Sequence, residues 1–415
     1  MLNDAEIIRL HERETQRQNT SLSLIASENI VSHSVRGALA TAFTNKTVEG
    51  YPGRRYHAGC EVADQLEELT RTRACTLFGS VHANVQPHSC SQANQAALLS
   101  LLKPGDKILS MELSHGGHLS HGFSQSLTGK LFEIIHYGVN RETQLIDYEM
   151  VEELAHRHRP GIVIVGSSAY SRTIDFARFR AIADSVGALL LADIAHVAGL
   201  VAARAYPSPV PYADVVTTSM YKTLRGPRGG LVLLRDEVHA RALDKAVFPG
   251  LQGTPCLNAL AAKAVCLGEA ALPDFKRYAS AVISNARSFA KIMGDANVPV
   301  VSGGTDSHLV LLDLRSLGLS GKAAAIALEE VGILCNMNLI PFDEAAPTVC
   351  SGIRFGFAAS TTMGFDESEI QRVAELVIST LTKIGSDGRM SDAFRLSTRE
   401  EIIRLIAATS EKAAA

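Results

Sequence analysis

The pattern of apolar and polar positions divides the chain into stretches of different period. The first fifty residues read as an amphipathic helix, a short apolar segment from Leu22 to Asn29, and a second helix. Continuous apolar or β-branched runs then recur at 107–110, 162–165, 188–192, 215–218 and 230–234, with helical stretches between them. Runs without alternation predict strands buried on both faces, as in a parallel sheet covered by helices. Pro273-Asp274 breaks the pattern and starts a long helix to about Met293. Beyond it, Leu309–Leu312 predicts a strand, Gly321–Glu330 a helix, and Ile370, Val373, Ala374, Val377 and Leu381 a final amphipathic helix from near Asp366. The expected fold class is α/β, with a large, mostly parallel sheet domain and a smaller carboxy-terminal α/β domain. The division is expected at 1–50 (an amino-terminal helical arm), 51–272 (the large domain) and 273–415 (an interdomain helix and the small domain). There is no internal repeat, and Glu411–Ala415 is expected to fray.

Composition narrows the class. The 415 residues are 46% hydrophobic and 20% charged with a formal net charge of -3, which suits a soluble globular protein and gives no reason to expect nucleic acid as a partner. The start carries acids, Arg and His rather than the apolar core of a secretory signal, and no run of about 18 apolar residues spans a bilayer. The seven cysteines are scattered without a Cys-x-x-Cys pair, so buried, reduced thiols in a cytoplasmic protein are expected.

The chemistry concentrates between Leu189 and Gly230. Asp193 ends an otherwise uncharged strand. It is either a cap for the next helix or a carboxylate facing a ligand at the carboxyl end of a parallel sheet. One βαβ unit later, the row Thr217-Thr218-Ser219-Met220-Tyr221-Lys222 ends the next strand with an amine. That Lys is either a surface cation or a Schiff-base amine. An Asp and a Lys at neighbouring strand ends suit one cofactor, the acid keeping a pyridinium nitrogen charged and the amine forming an imine. Ser89-Cys90-Ser91-Gln92-Ala93-Asn94 opens a helix whose N–H groups favour an anion, although Ser there is ordinarily only a cap. His115, His118 and His121 have metal-like spacing, but glycines separate the first two and no acid is close in sequence, so no metal is expected.

Taken together, these segments resemble the serine hydroxymethyltransferase family along nearly the whole chain. The resemblance rests on Leu24–Asn29, Glu49–Gly53, Asn84–Ser89, His115–Leu119, Asp193–Leu200, Lys222–Gly230 and Ser351–Arg354. It implies a fold-type I pyridoxal-phosphate enzyme that moves one carbon between a β-hydroxy amino acid and tetrahydrofolate. By resemblance, Lys222 is the Schiff-base lysine, Asp193 the partner of the pyridine nitrogen, and His118 the ring-stacking residue. His196 and Ser168 sit near the phenolic oxygen, with Ser219 also on the cofactor. Ser89, Cys90 and Ser91 form the phosphate turn, helped by Gly253 of a second subunit. Arg354 grips the substrate carboxylate with Ser27 nearby, Glu49 reaches across a homodimer interface to handle protons, and Leu119 and Asn338 contact the folate.

The chain departs from the family pattern at several pocket positions. Thr47 stands where Tyr is usual, His57 replaces the second Tyr of a pair, Cys90 replaces Gly, and Met220-Tyr221 replaces Thr-His. Thr254 replaces Gly and Asn258 replaces His, while Leu339, Phe357-Ala358 and Met363 alter folate-side positions. Lost bulk at Thr47 and His57 leaves room for a methyl group at Cα, so the substrate is serine or 2-methylserine and the product glycine or D-alanine. A folate-independent threonine-type aldolase is the rival within enzymes. A non-catalytic binding homologue is the rival outside them, and Lys222 counts against it.

Overall fold

The computed structural model describes residues 3–385 and 389–414. It divides into two compact units, one of residues 31–280 and the other of residues 1–30 with 281–415.

The first unit is built on a seven-stranded sheet: β1 His82–Asn84, β2 Lys107–Met111, β3 Glu133–Tyr137, β4 Ile162–Val165, β5 Leu189–Asp193, β6 Val215–Ser219 and β7 Gly230–Leu234. Their order is β1-β7-β6-β5-β4-β2-β3. Neighbours from β6 to β3 pair in parallel, while β7 is antiparallel to both β6 and β1 and so runs against the other six. Every residue of β4, β6 and β7 is buried, which accounts for their unbroken apolar or small-residue sequences. The edge strands β1 and β3 escape the apolar pattern because they carry His82, Asn84, Glu133 and His136. An edge strand needs no second neighbour and tolerates polar side chains. The mostly parallel α/β architecture is borne out, and the strand that reverses direction is the one after the Lys222 loop.

In the second unit, β8 Leu309–Asp313, β9 Asn336–Asn338 and β10 Gly352–Gly356 form an antiparallel sheet with β10 in the middle. The amino-terminal segment belongs to this unit's core. Leu22-Ser23 pairs in parallel with Ile333-Leu334, and the Leu24 carbonyl accepts from Gly356 N at 2.7 Å. Phe289 packs its ring 5.0 Å from those of both Phe355 and Phe357, among Leu22, Leu24, Ile402 and Ile406. The helix expected near Asp366 is Glu367–Lys383, closed at its start by a capping box between Asp366 and Glu369. It is not the last: Asp392–Ala414 forms another helix, reaching through most of the stretch expected to fray, with Ala415 outside the described residues. Its buried stripe is Thr398, Ile402, Ile406 and Thr409, and the two threonines hide it from an apolar-periodicity reading.

All seven cysteines are free thiols, but only Cys60, Cys90, Cys266 and Cys350 are buried; Cys75 and Cys335 are half-buried and Cys256 is exposed. No helix among the described residues is long and apolar enough to cross a membrane. Phe355→Ala is expected to cost about 3–5 kcal/mol, because it opens a cavity beneath Phe289. Calorimetric unfolding checks this through a lowered transition for the unit that holds β10.

Candidate active site

Four loops at the carboxyl ends of parallel strands meet the start of the helix Cys90–Leu101, as the direction of the sheet dictates. β5 ends in Asp193 and leads to His196. β6 leads to Lys222, β4 to Ser167 and Ser168, and β2 to His118 and His121. These residues line one cavity with Ser89, Cys90, Ser91, Ala195 and Tyr221. Of the expected cofactor residues, Ser89, Cys90, Ser91, His118, Ser168, Asp193, His196 and Lys222 are thus brought together. Ser219 lies just behind them, its Oγ donating to the Ala195 carbonyl at 3.2 Å.

Asp193 is the electrostatic centre. One carboxylate oxygen accepts from Ala195 N at 2.9 Å. The other accepts from Asn94 Nδ2 at 2.8 Å and lies 2.9 Å from His121 Nε2. Burial pushes this carboxyl up, but the bond and charge of His121, the charge of His118 and the Asn94 bond outweigh it and hold it well below the usual carboxylate range. Asp193 therefore stays ionised although only 7% exposed. It does not cap the next helix, Ala198–Ala202, whose first cap is Val197. Ser89 does cap its helix, with Oγ accepting from Gln92 N at 3.2 Å, and it lines the cavity as well.

His121 and Asn94 are the functional positions that motif reading passed over. Both lie within runs already singled out, but nothing in their spacing points at Asp193. Asn94 ties the group together: its Oδ1 accepts from Thr217 Oγ1 at 2.5 Å and its Nδ2 also donates to Ser120 Oγ at 2.8 Å. Ser120 in turn meets His118 Nδ1 at 2.7 Å. The fold also supplies the acid that sequence spacing denied the histidines, with ligand atoms of His118, His121 and Asp193 within 4.8 Å of one another. N–H donors already surround the Asp193 carboxylate. That donor set suits an acid kept charged opposite a protonated ring nitrogen rather than a metal ligand.

The other expected residues are not among those lining this cavity. Thr47 and His57 are exposed and Glu49 is half-buried. Gly253 faces Glu49, since a Cβ built on it would sit 3.3 Å from Glu49 Oε1. Leu119 is 49% exposed. In the second unit, Arg354 on β10 donates through Nε and Nη2 to Asn336 Oδ1 at 3.2 and 3.1 Å, and burial brings its pKa down to about 10. Ser27 is half-buried on the segment after Leu24, and Asn338 lies on β9 opposite Gly352.

An ionised carboxylate and a buried amine at adjacent strand ends, with a serine-rich helix start beside them, fit pyridoxal phosphate on a fold-type I scaffold. A family model described as serine hydroxymethyltransferase matches residues 1–377. The chain is 57% identical over 372 residues to a serine hydroxymethyltransferase of Coprothermobacter proteolyticus, covering 90% of this chain and 89% of that protein. It is 54% identical over 380 residues to one of Prochlorococcus marinus, covering 92% and 89%, and 49% identical over 403 residues to one of Ehrlichia chaffeensis, covering 97% and 95%. The chain belongs to the serine hydroxymethyltransferase family. Members are pyridoxal-phosphate-dependent transferases with tetrahydrofolate as co-substrate, so the expected fold, cofactor and enzyme class are borne out and the non-catalytic reading falls.

Replacing His121 by Phe removes the largest interaction that holds Asp193 ionised against its burial, and the carboxyl's pKa moves up. The His121→Phe variant is then expected to lose cofactor as pH falls through the mildly acidic range in which the wild type retains it. The cofactor's visible absorbance, measured against pH, checks this.

Proposed function

We propose that Lys222 carries pyridoxal phosphate and that the protein is a homodimeric, cytoplasmic hydroxymethyltransferase with shared active sites. The observation that carries this reading is the ionised Asp193 beside Lys222 in one cavity of the 31–280 unit. Bound there, the cofactor supplies an electron sink for the pair left at Cα when the Cα–Cβ bond breaks. Asp193 holds the proton on the ring nitrogen, and Asn94 and His121 hold Asp193. His118 covers the ring, and His196, Ser168 and Ser219 orient it. The N–H groups and hydroxyls at Ser89–Ser91 hold the phosphate. Arg354 fixes the amino-acid carboxylate through its planar fork, with Ser27 beside it. Glu49 moves the proton of the hydroxymethyl group, and Leu119 and Asn338 contact the folate.

The facing of Glu49 and Gly253 supports the shared-site reading. Neither lines the cavity of its own chain, and together they make one module for a second subunit to receive. The arm of residues 1–50 would take part in that assembly, with 51–272 binding the cofactor and 273–415 completing the subunit.

A second reading, preference for a Cα-methylated substrate, draws support from one loop. Lys46 Nζ donates to the Thr47 and Ala58 carbonyls, each at 2.9 Å, and Tyr56 N donates to the Glu49 carbonyl at 3.1 Å. The segments that carry the two shortened positions, Thr47 and His57, are therefore tied together through the backbone beside Glu49. A pocket separates substrates differing by a methyl group by about 1–3 kcal/mol, so preference rather than exclusion follows.

Two outcomes are expected. Glu49→Gln and Lys222→Ala are each inactive as pure proteins. After subunit exchange in an equal mixture, roughly a quarter of sites regain activity if the sites are shared, and none if they are not. In steady-state assays with tetrahydrofolate, 2-methylserine is turned over with a kcat/KM at least equal to that of serine. Strong preference for serine with D-alanine inert in the reverse direction would sink the second reading alone.

A further inference from the structure

Lys263 has no part in the chemistry above, yet it is buried to 3% exposure inside the helix Leu257–Ala270. Its Nζ donates to three backbone carbonyls: Val85 at 2.7 Å, Gly230 at 2.9 Å and Pro87 at 3.0 Å. Three protons meet three acceptors, and no carboxylate bonds to it among the described residues. Burial pushes this ammonium down to about 7, so its position costs free energy that an apolar side chain on the same helix would not incur.

The identity of the three carbonyls supplies the reason. Val85 and Pro87 lie on the short run between β1 and Ser89, the cap of the helix Cys90–Leu101. Gly230 begins β7, eight residues after Lys222. The β1–β7 ladder pairs Asn84 with Val232, and past that point the two chains need other partners. Pro87 O accepts from Gly230 N at 2.9 Å, and Lys263 serves the carbonyls on both sides. Local packing is built around this arrangement. A Cβ on Gly229, at φ 154, would meet Lys263 Cε at 2.3 Å, and a Cβ on Gly230 would meet the Ser89 carbonyl at 2.4 Å. The glycines admit the lysine stem from one side and the Ser89 turn from the other.

We propose that Lys263 is a positioning residue for the phosphate turn, its ammonium setting the angle at which Ser89–Ser91 meets β7 and hence the grip on the cofactor's phosphate. This rests on the reading of Ser89–Ser91 as the phosphate turn. It assigns Lys263 no contact with substrate or cofactor.

The test compares pyridoxal phosphate with pyridoxal, which lacks the phosphate, as ligands of the full-length apoprotein in fluorescence titrations. The wild type is set beside Lys263→Met, which keeps the stem and removes every donor, and Lys263→Gln, which keeps two N–H donors. Lys263→Met is expected to weaken pyridoxal phosphate about tenfold or more while pyridoxal changes little, with Lys263→Gln between the two. The phosphorus NMR resonance of the bound cofactor shifts in step. Equal losses for both ligands, or wild-type affinity with an unmoved phosphorus resonance, overturn the proposal. If Lys263→Met does not fold, the ratio measured for Lys263→Gln decides by the same criterion. A wild type that binds pyridoxal as tightly as pyridoxal phosphate overturns the phosphate-turn reading itself, and this proposal with it.

Discussion

The structure depends on keeping one carboxylate charged inside a protein. Asp193 is nearly excluded from water, and an isolated buried carboxylate would take up a proton. It stays ionised because Asn94, His121 and the Ala195 amide donate to it at close to 2.9 Å. Each donor arrives on a different element: the helix after the serine turn, the loop after β2, and the turn leaving β5. Misplacing any of those elements would leave the charge uncompensated, so the site and the sheet order constrain each other.

The reversal of β7 gives that constraint its shape. With six strands running one way, their carboxyl ends gather Asp193, Lys222, Ser168 and His118 on one edge of the sheet. β7 starts at this edge and β1 ends at it, so the serine turn is delivered to the same place. Other buried polar side chains brace this frame without lining the cavity. Lys263 under Val85, Pro87 and Gly230 is one, and Thr217 beneath Asn94 is another.

Much of the fold was legible in the residues because buried parallel strands leave unmistakable runs. Ile162–Val165 and Gly230–Leu234 begin and end where the runs do, and Gly321–Glu330 is a helix over its predicted length. Strands at the sheet edge were not legible: β3 exposes Glu133 and His136, and the buried His82 and Asn84 of β1 are polar because they pair with Asp244. The helix Asp392–Ala414 was missed because two of the positions it buries are threonines. Among the site residues, Lys222 and Asp193 stood out as charges at the ends of apolar runs. His121 was visible only as one histidine of three, and the acid it serves lies 72 residues away.

By itself the sequence determined the α/β class, the ordered motifs of the serine hydroxymethyltransferase family, and two charged residues, Asp193 and Lys222, at neighbouring strand ends. Burial of both strand faces and the expense of a charge at a strand end can each be read locally. Only the tertiary structure decided which groups neutralise Asp193, that Ser89 both caps a helix and lines the cavity, and that Glu49 faces Gly253. It also decided that residues 1–30 complete the carboxy-terminal unit through Leu22 and Leu24. Those are pairings across long stretches of chain, set by strand direction and register, and no local pattern of residues encodes the partner.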